Sequence, residues 1–199
     1  MNTIVDKTLH GDGDSDRHLT TLFGMVLGQR PKRILELGVR GGSTTLPLLM
    51  AAKAVGAKVV SVDIEPTKFI EMCPEDLRPH WEFVQMDALT YLEQLDKSIV
   101  QDFVYVDDWH SYPHVAKELA LLDQCVTPSS VIVLHDCMYG TAPFYHSDLT
   151  PNAGSQWAGG GPYRAVAELN PQFWEFATLP WNNGLTILRK KYSTRYHKV

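Results

Sequence analysis

Residues 34–49, ILELGVRGGSTTLPLL, run from a short apolar stretch through a glycine cluster into an apolar segment of helical composition. Few folds accept that order. Ile34, Leu35 and Leu37 have the unbroken apolar character of a strand buried on both faces, as parallel strands are. Gly38, Gly41 and Gly42 free the backbone for a tight turn and for close approach of a ligand. Ser43 and Thr44 suit the N-cap of a helix over Thr45 to Val55, and Pro47 is tolerated in its first turn. The first N–H groups of that helix and its positive dipole end face the turn, so a polar ligand is expected there. The dinucleotide pattern GxGxxG is absent. Glu36, inside the strand end, would repel a pyrophosphate and suits a cationic or amino-bearing ligand, which tilts the choice away from NAD.

The following residues repeat the strand-then-helix order. Lys58 to Asp63, Trp81 to Asp87, Asp102 to Asp108 and Ser130 to Asp136 have strand character. Helices are expected over Asp16–Gln29 before the first strand, and then over Pro66–Met72, Ala88–Leu95 and Pro113–Gln124. Glu36, Asp63 and Asp87 end three successive strands, which places carboxylates along the one sheet edge where open α/β proteins bind ligands. Asp63 stands where an acid accepts both hydroxyls of a ribose, with capping of the turn before Pro66 as the rival reading. Past a helix at Tyr163–Leu169, two strands at Phe173–Leu179 and Leu185–Arg189 flank a turn with Asn182, Asn183 and Gly184, which predicts a hairpin. The expected fold is α/β: a Rossmann-like, doubly wound sheet of seven strands, mostly parallel, with a C-terminal antiparallel hairpin.

All 199 residues are expected to form one domain. Residues 1–16 are polar and rich in Asp and Gly, and are expected to be a mobile arm. Asp12, Asp14 and Asp16 imitate the start of a calcium loop, but Arg17 stands where glycine is needed and Phe23 where the closing glutamate belongs. Residues 137–163 hold several Gly and Pro with Tyr139, Phe144, Tyr145, His146 and Trp157, the composition of a substrate lid or binding loop; simple disorder is the rival reading. A net charge of -5 argues against general nucleic-acid binding. No run approaches a membrane span and no signal-peptide core is present. Cys73, Cys125 and Cys137, with no CxxC spacing, fit a reducing compartment, so a cytoplasmic protein is expected. Trp157, Trp174 and Trp181 are open to two readings, as pocket lining or as the contact of a homo-oligomer.

ELGVRGG, VSVDIEP and VQMDAL in that order, on five β/α units closed by a hairpin, resemble the class I S-adenosylmethionine-dependent methyltransferases over about residues 18–190. The segment YVDDWHSYPHVAKELALLDQCVTPSSVIVLHD further resembles a small subgroup with an Asp-x-x-His-Ser-Tyr element and a strand ending in His-Asp, related to metal-assisted sugar and natural-product O-methyltransferases. The resemblance implies S-adenosylmethionine as cofactor. It assigns Glu36, Gly38, Val39, Gly42 and Ser43 to its amino acid end, Asp63 and Ile64 to the ribose and adenine side, Asp87 and Ala88 to the adenine amino group, and Asp107 to the methyl-transfer site.

Methyl transfer to a hydroxyl needs in-line positioning and removal of a proton, by a histidine base or by a metal that acidifies the hydroxyl. His110 is the preferred base in a metal-free site, with His135 and Asp107 also placed for catalysis. Asp107 and Asp136 are expected to share a divalent metal, magnesium or manganese, with His135 as third ligand. The familiar metal-assisted pattern ends the fifth strand in two acids or an Asp and Asn pair, and His135 departs from it. The leading expectation is O-methylation of a small molecule, a sugar or natural product. An iron oxygenase using His110, His135 and a carboxylate, and a noncatalytic methyltransferase-like binding module, are the competing readings.

Overall fold

The computed structural model describes residues 2–138 and 160–192. Five strands, β1 (Arg33–Leu37), β2 (Lys58–Asp63), β3 (Trp81–Gln85), β4 (Phe103–Val106) and β5 (Val131–His135), precede the hairpin of β6 (Trp174–Leu179) and β7 (Leu185–Lys190). They form one sheet in the order β3-β2-β1-β4-β5-β7-β6. The first five are parallel, and β7 runs antiparallel to both β5 and β6. The expected seven-stranded α/β sheet with its closing hairpin is therefore observed. The turn into β7 places Asn182, Asn183 and Gly184 at positive φ, which Asn and Gly tolerate best.

Helices α1 (Asn2–His10), α2 (Leu19–Gln29), α3 (Thr45–Val55), α4 (Phe69–Met72), α5 (Ala88–Gln94), α6 (Tyr112–Leu122) and α7 (Gly161–Ala167) accompany the sheet. Alternation along each strand divides the core between its two faces. Leu35, Leu37, Val104, Val106, Ile132 and Leu134 pack with Leu92 of α5 and Val115, Leu119 and Leu122 of α6. Ile34, Phe103, Tyr105 and Val133 pack on the other face with Leu22 and Val26 of α2 and Leu48, Leu49 and Ala52 of α3. β1 lies between β2 and β4, so the chain winds outward in opposite directions from that pair, and the crevice at their carboxyl ends is where such sheets bind ligands.

The N-terminal residues depart from expectation. Instead of a mobile arm, residues 2–10 form α1, with Ile4 only 1 % exposed, and Ser15 and Asp16 are buried. Asp16 Oδ2 accepts a hydrogen bond from the Gly13 backbone, 2.9 Å, closing the connection to a 3-10 turn at Asp16–His18. Polar composition concealed this helix because one buried isoleucine anchors it without a full apolar stripe. α4 is also shorter than expected; Thr67 Oγ1 accepts from Phe69 N at 3.1 Å, so the helix starts beyond Pro66 and Thr67. Residues 139–159, most of the expected lid, lie outside the described residues, as does Trp157. Trp174 is buried in the core and lines a cavity between α6 and α7, in keeping with the pocket reading. Among the described residues no helix is long and apolar enough to cross a membrane.

Replacing Ile4 with Ala removes a fully buried side chain and should cost about 2–5 kcal/mol in urea denaturation. A loss within error of zero would restore the mobile arm.

Candidate active site

The glycine turn is built by close contact. Gly38 has φ +89, and a Cβ there would lie 2.2 Å from the Asp107 carbonyl oxygen, so the backbones after β1 and β4 meet only because residue 38 has no side chain. Gly42, at φ +77, similarly abuts the Phe69 ring. Asp63 braces the turn from the end of β2: Oδ2 accepts from Val39 N at 2.8 Å and Arg40 N at 2.9 Å, and Oδ1 accepts from Glu65 N at 2.9 Å. Asp87 caps α5, accepting from Thr90 N at 2.8 Å. Partial burial pushes its carboxyl up, but the two Thr90 hydrogen bonds prevail and hold it below the usual carboxylate range.

Two cavities flank Gly38. One, of about 360 Å³, is lined by Gly38, Asp63, Ile64, Asp87, Ala88 and Asp107, all expected cofactor residues, together with Arg40, Asp108, Trp109 and His114. The other, of about 510 Å³, is lined by the expected Gly38, Val39, Ser43 and Asp107, and also by Asp12, Gly13, Asp14 and Ser15. The supposed arm is thus a wall of the site. Gly42 lines neither cavity and acts through the turn it permits.

Glu36 requires correction. It is fully buried and lines neither cavity. Its Oε1 accepts from Thr44 Oγ1 at 2.8 Å, and its Oε2 from Thr45 Oγ1 at 2.8 Å and Ser61 Oγ at 2.6 Å. Burial pushes the carboxyl up to about 7 despite these three hydroxyls. Glu36 therefore ties β1 and β2 to the start of α3, and does not present a charge to a ligand. Thr44 occupies the N-cap position without a capping bond, because its hydroxyl is spent on Glu36.

Beside Asp107 lies a cluster of acids and imidazoles. His110 Nε2 is 3.3 Å from Asp107 Oδ1 and 3.0 Å from Asp136 Oδ2, and His135 Nδ1 is 3.4 Å from the same two oxygens. Tyr105 and Ser15 donate hydroxyl hydrogen bonds to Asp107 Oδ2, at 2.9 and 3.3 Å. Asp136 has φ 58, a strained value for a non-glycine residue. His18, from the turn before α2, packs edge-on against His135 and stacks on Trp181, its Nε2 2.8 Å from the Trp181 carbonyl. Burial lowers the His110 imidazole, but its hydrogen bonds to Asp107 and Asp136 outweigh this and raise it to about 9. Burial raises both carboxyls, and the histidines more than reverse that. Without a metal, its two carboxylate neighbours thus favour the protonated imidazole.

Asp107, His110 and Asp136 each offer one ligand atom, all within 4.8 Å of one another. His135, expected as the third ligand, is fully buried, with its Nδ1 facing the same two carboxylate oxygens from the core side. Two carboxylates and one imidazole fit a transition-metal dication such as manganese or zinc better than magnesium, which prefers oxygen throughout.

A protein-family model described as a methyltransferase domain matches residues 35–137. The chain belongs to that family. The match spans β1 to the residue after Asp136, a stretch that carries the acid–imidazole cluster, the first cavity and all of the second cavity's lining except Asp12 to Ser15. No curated protein sequence matches. Among solved structures, the chain resembles the SAH-bound methyltransferase PaMTH1 of Podospora anserina, with TM-score 0.64 and 21% identity over 87% of this chain and 78% of that one. An O-methyltransferase from Bacillus cereus in complex with SAH gives 0.66 and 18% over 96% and 88%. The O-methyltransferase TomG from Streptomyces achromogenes, involved in tomaymycin synthesis and solved with SAM, gives 0.63 and 20% over 88% and 80%. At these identities the likeness is one of fold.

Because the Glu36 carboxyl is raised from 4.5 to about 7 on folding, it contributes stability fully below pH 4.5 and loses it as pH rises through 7. The loss is on the order of 3 kcal/mol. Glu36→Gln should flatten the stability profile across that window in denaturant titrations; parallel profiles for the two proteins would contradict the assigned burial.

Proposed function

We propose that this methyltransferase uses S-adenosylmethionine to methylate a hydroxyl group of a small molecule. The observation that carries the reading is the position of Asp107, which lines both cavities flanking the glycine turn and also belongs to the acid–imidazole cluster. A methyl donor lying along the turn is thereby set beside groups able to manage a hydroxyl proton. Cofactor-bound neighbours of the same fold support the choice of donor.

On this reading, the cavity between Asp63, Ile64, Asp87 and Ala88 takes the adenosine moiety, and the cavity between Val39, Ser43 and Ser15 takes the amino acid end. Bound there, the cofactor supplies an electrophilic methyl group. Asp107, His110 and Asp136 hold a divalent ion, whose chemistry would be to lower the pKa of a substrate hydroxyl. Tyr105 and Ser15 fix the Asp107 carboxylate, and the strained backbone of Asp136 aims a second one at the same point. His135 and His18 close the cluster from the core side. These residues orient the reacting groups, and such positioning accounts for much of the rate in a two-substrate transfer. Family membership sets the oxygenase reading aside, and the assembled cluster supports a catalytic protein over a binding module. A cytoplasmic setting goes with this reading, supported by three buried free cysteines.

Asp63→Ala should weaken binding of S-adenosylhomocysteine about 10- to 100-fold, since it removes an acceptor for the ligand and the brace of the turn, each contact to a charged group contributing about 1.5–3 kcal/mol. Unchanged affinity by calorimetry would remove Asp63 from the site. Tritium transfer from labelled cofactor into a metabolite extract tests the activity itself, and exhaustive EDTA treatment should abolish it, with Mn²⁺ restoring it. Full turnover in EDTA would exclude the metal.

A further inference from the structure

Asp107 and Asp108 are consecutive, and they serve different groups. Asp108 meets His114 and Glu118, which lie one helical turn apart on α6 and so share a face. His114 Nε2 is 2.9 Å from Asp108 Oδ2 and 3.6 Å from Glu118 Oε1. One ligand atom from each of the three lies within 4.8 Å of the others.

Glu118 has no ordinary reason to be there. It is fully buried, between Val115, Leu119 and Leu122 of the core-facing stripe of α6. Neither of its carboxylate oxygens has a partner at good hydrogen-bond geometry, nor does Asp108 Oδ1, and the polar neighbours of Glu118 are His114 and the like-charged Asp108. A buried carboxyl of this kind is normally hydrogen-bonded or paired. His114 cannot satisfy both acids, because a single Nε2–H points at one acceptor, and the shorter distance assigns it to Asp108. Without a metal, burial and the Asp108 charge push the Glu118 carboxyl well up, so that it keeps a proton of its own; a dication would take the place of both protons, contacting both carboxylates and the imidazole lone pair together.

We propose that Asp108, His114 and Glu118 form a second metal site, able to hold a zinc-type divalent ion and separate from the Asp107, His110 and Asp136 cluster. Ligand atoms about 2.0–2.1 Å from a tetrahedral ion stand about 3.3 Å apart. The observed 2.9 and 3.6 Å bracket that spacing. One nitrogen and two oxygens favour zinc over magnesium, which selects an all-oxygen shell. Asp108 and His114 also line the 360 Å³ cavity, so an ion has a way in, and the site forms part of the cavity wall next to Trp109. Glu118, deep in α6, would then link that wall rigidly to the core. The inference stands whether or not the cofactor assigned above is the right one.

The test uses the full chain and Zn²⁺ alone. After equilibrium dialysis, bound metal is measured by plasma mass spectrometry in the wild type, His114→Gln and Glu118→Gln, with folding checked by circular dichroism. The wild type should bind one more equivalent than either variant, or the variants should show at least ~10-fold weaker affinity for that equivalent. Zinc content and affinity unchanged in the folded variants would overturn the proposal, as would a wild type that retains no zinc. Should Glu118→Gln fail to fold, His114→Gln decides alone, since its side chain lies at the cavity wall. Loss of the same equivalent from Asp107→Asn, with His114→Gln unaffected, would assign the zinc to the first cluster and also defeat the proposal.

Discussion

Two backbones touch where Gly38 leaves no side chain between β1 and the Asp107 carbonyl. This contact sits where strand order reverses, at the carboxyl edge of the sheet. It fixes how far the two strand ends can part, and so sets the floor on which both cavities rest. It also draws Asp107 to the boundary between them, within reach of the imidazoles delivered by β5 and by the loop before α6. A larger residue at position 38 would push the turn away from the end of β4 and separate the cavities from the acid–imidazole cluster.

A second constraint lies out of sight of any ligand. Glu36 gathers hydroxyls from β2 and from the start of α3, so that one buried acid sets the angle between strand, turn and helix. Its elevated pKa follows from that burial, and the hydroxyls only soften it. Asp63 performs the matching task from outside, holding the N–H groups of the turn. The two acids look alike in sequence, each at a strand end, yet one faces the interior and the other the cavity. The difference is the alternation of a strand: Glu36 shares the face of Ile34, directed at α3.

That contrast shows how far sequence reading reaches. Strands and helices with a clear apolar rhythm, such as β2 at Lys58–Asp63 and α3 at Thr45–Val55, lie where their patterns place them. Gly38, Asp63, Asp87 and Asp107 meet at one cavity, as the local requirements of a nucleotide-type turn led the sequence to suggest. The role of Glu36 was not legible there, since it depends on Thr44, Thr45 and Ser61 converging in space. Nor was α1, whose single buried isoleucine leaves no periodic trace. His114 and Glu118 carry a visible four-residue spacing, but surface ion pairs use the same spacing, and only burial distinguishes them. Arg40 and Trp109 line a cavity through loops whose course no local pattern specifies.

The wall contributed by Ser15 and its neighbours has one more consequence. Asn182 Nδ2 donates to the Gly13 carbonyl at 3.1 Å, and His18 is held by Trp181, so segments more than 160 positions apart complete the same centre. Contacts of such long sequence separation form late. On the ribosome, the β/α units up to Asp87 can collapse while the hairpin is still within the exit tunnel, with residues 13–18 lacking the surface they rest on. A chain cut before Trp181 lacks β7, and with it both the partner of β5 and the support of residues 13–18.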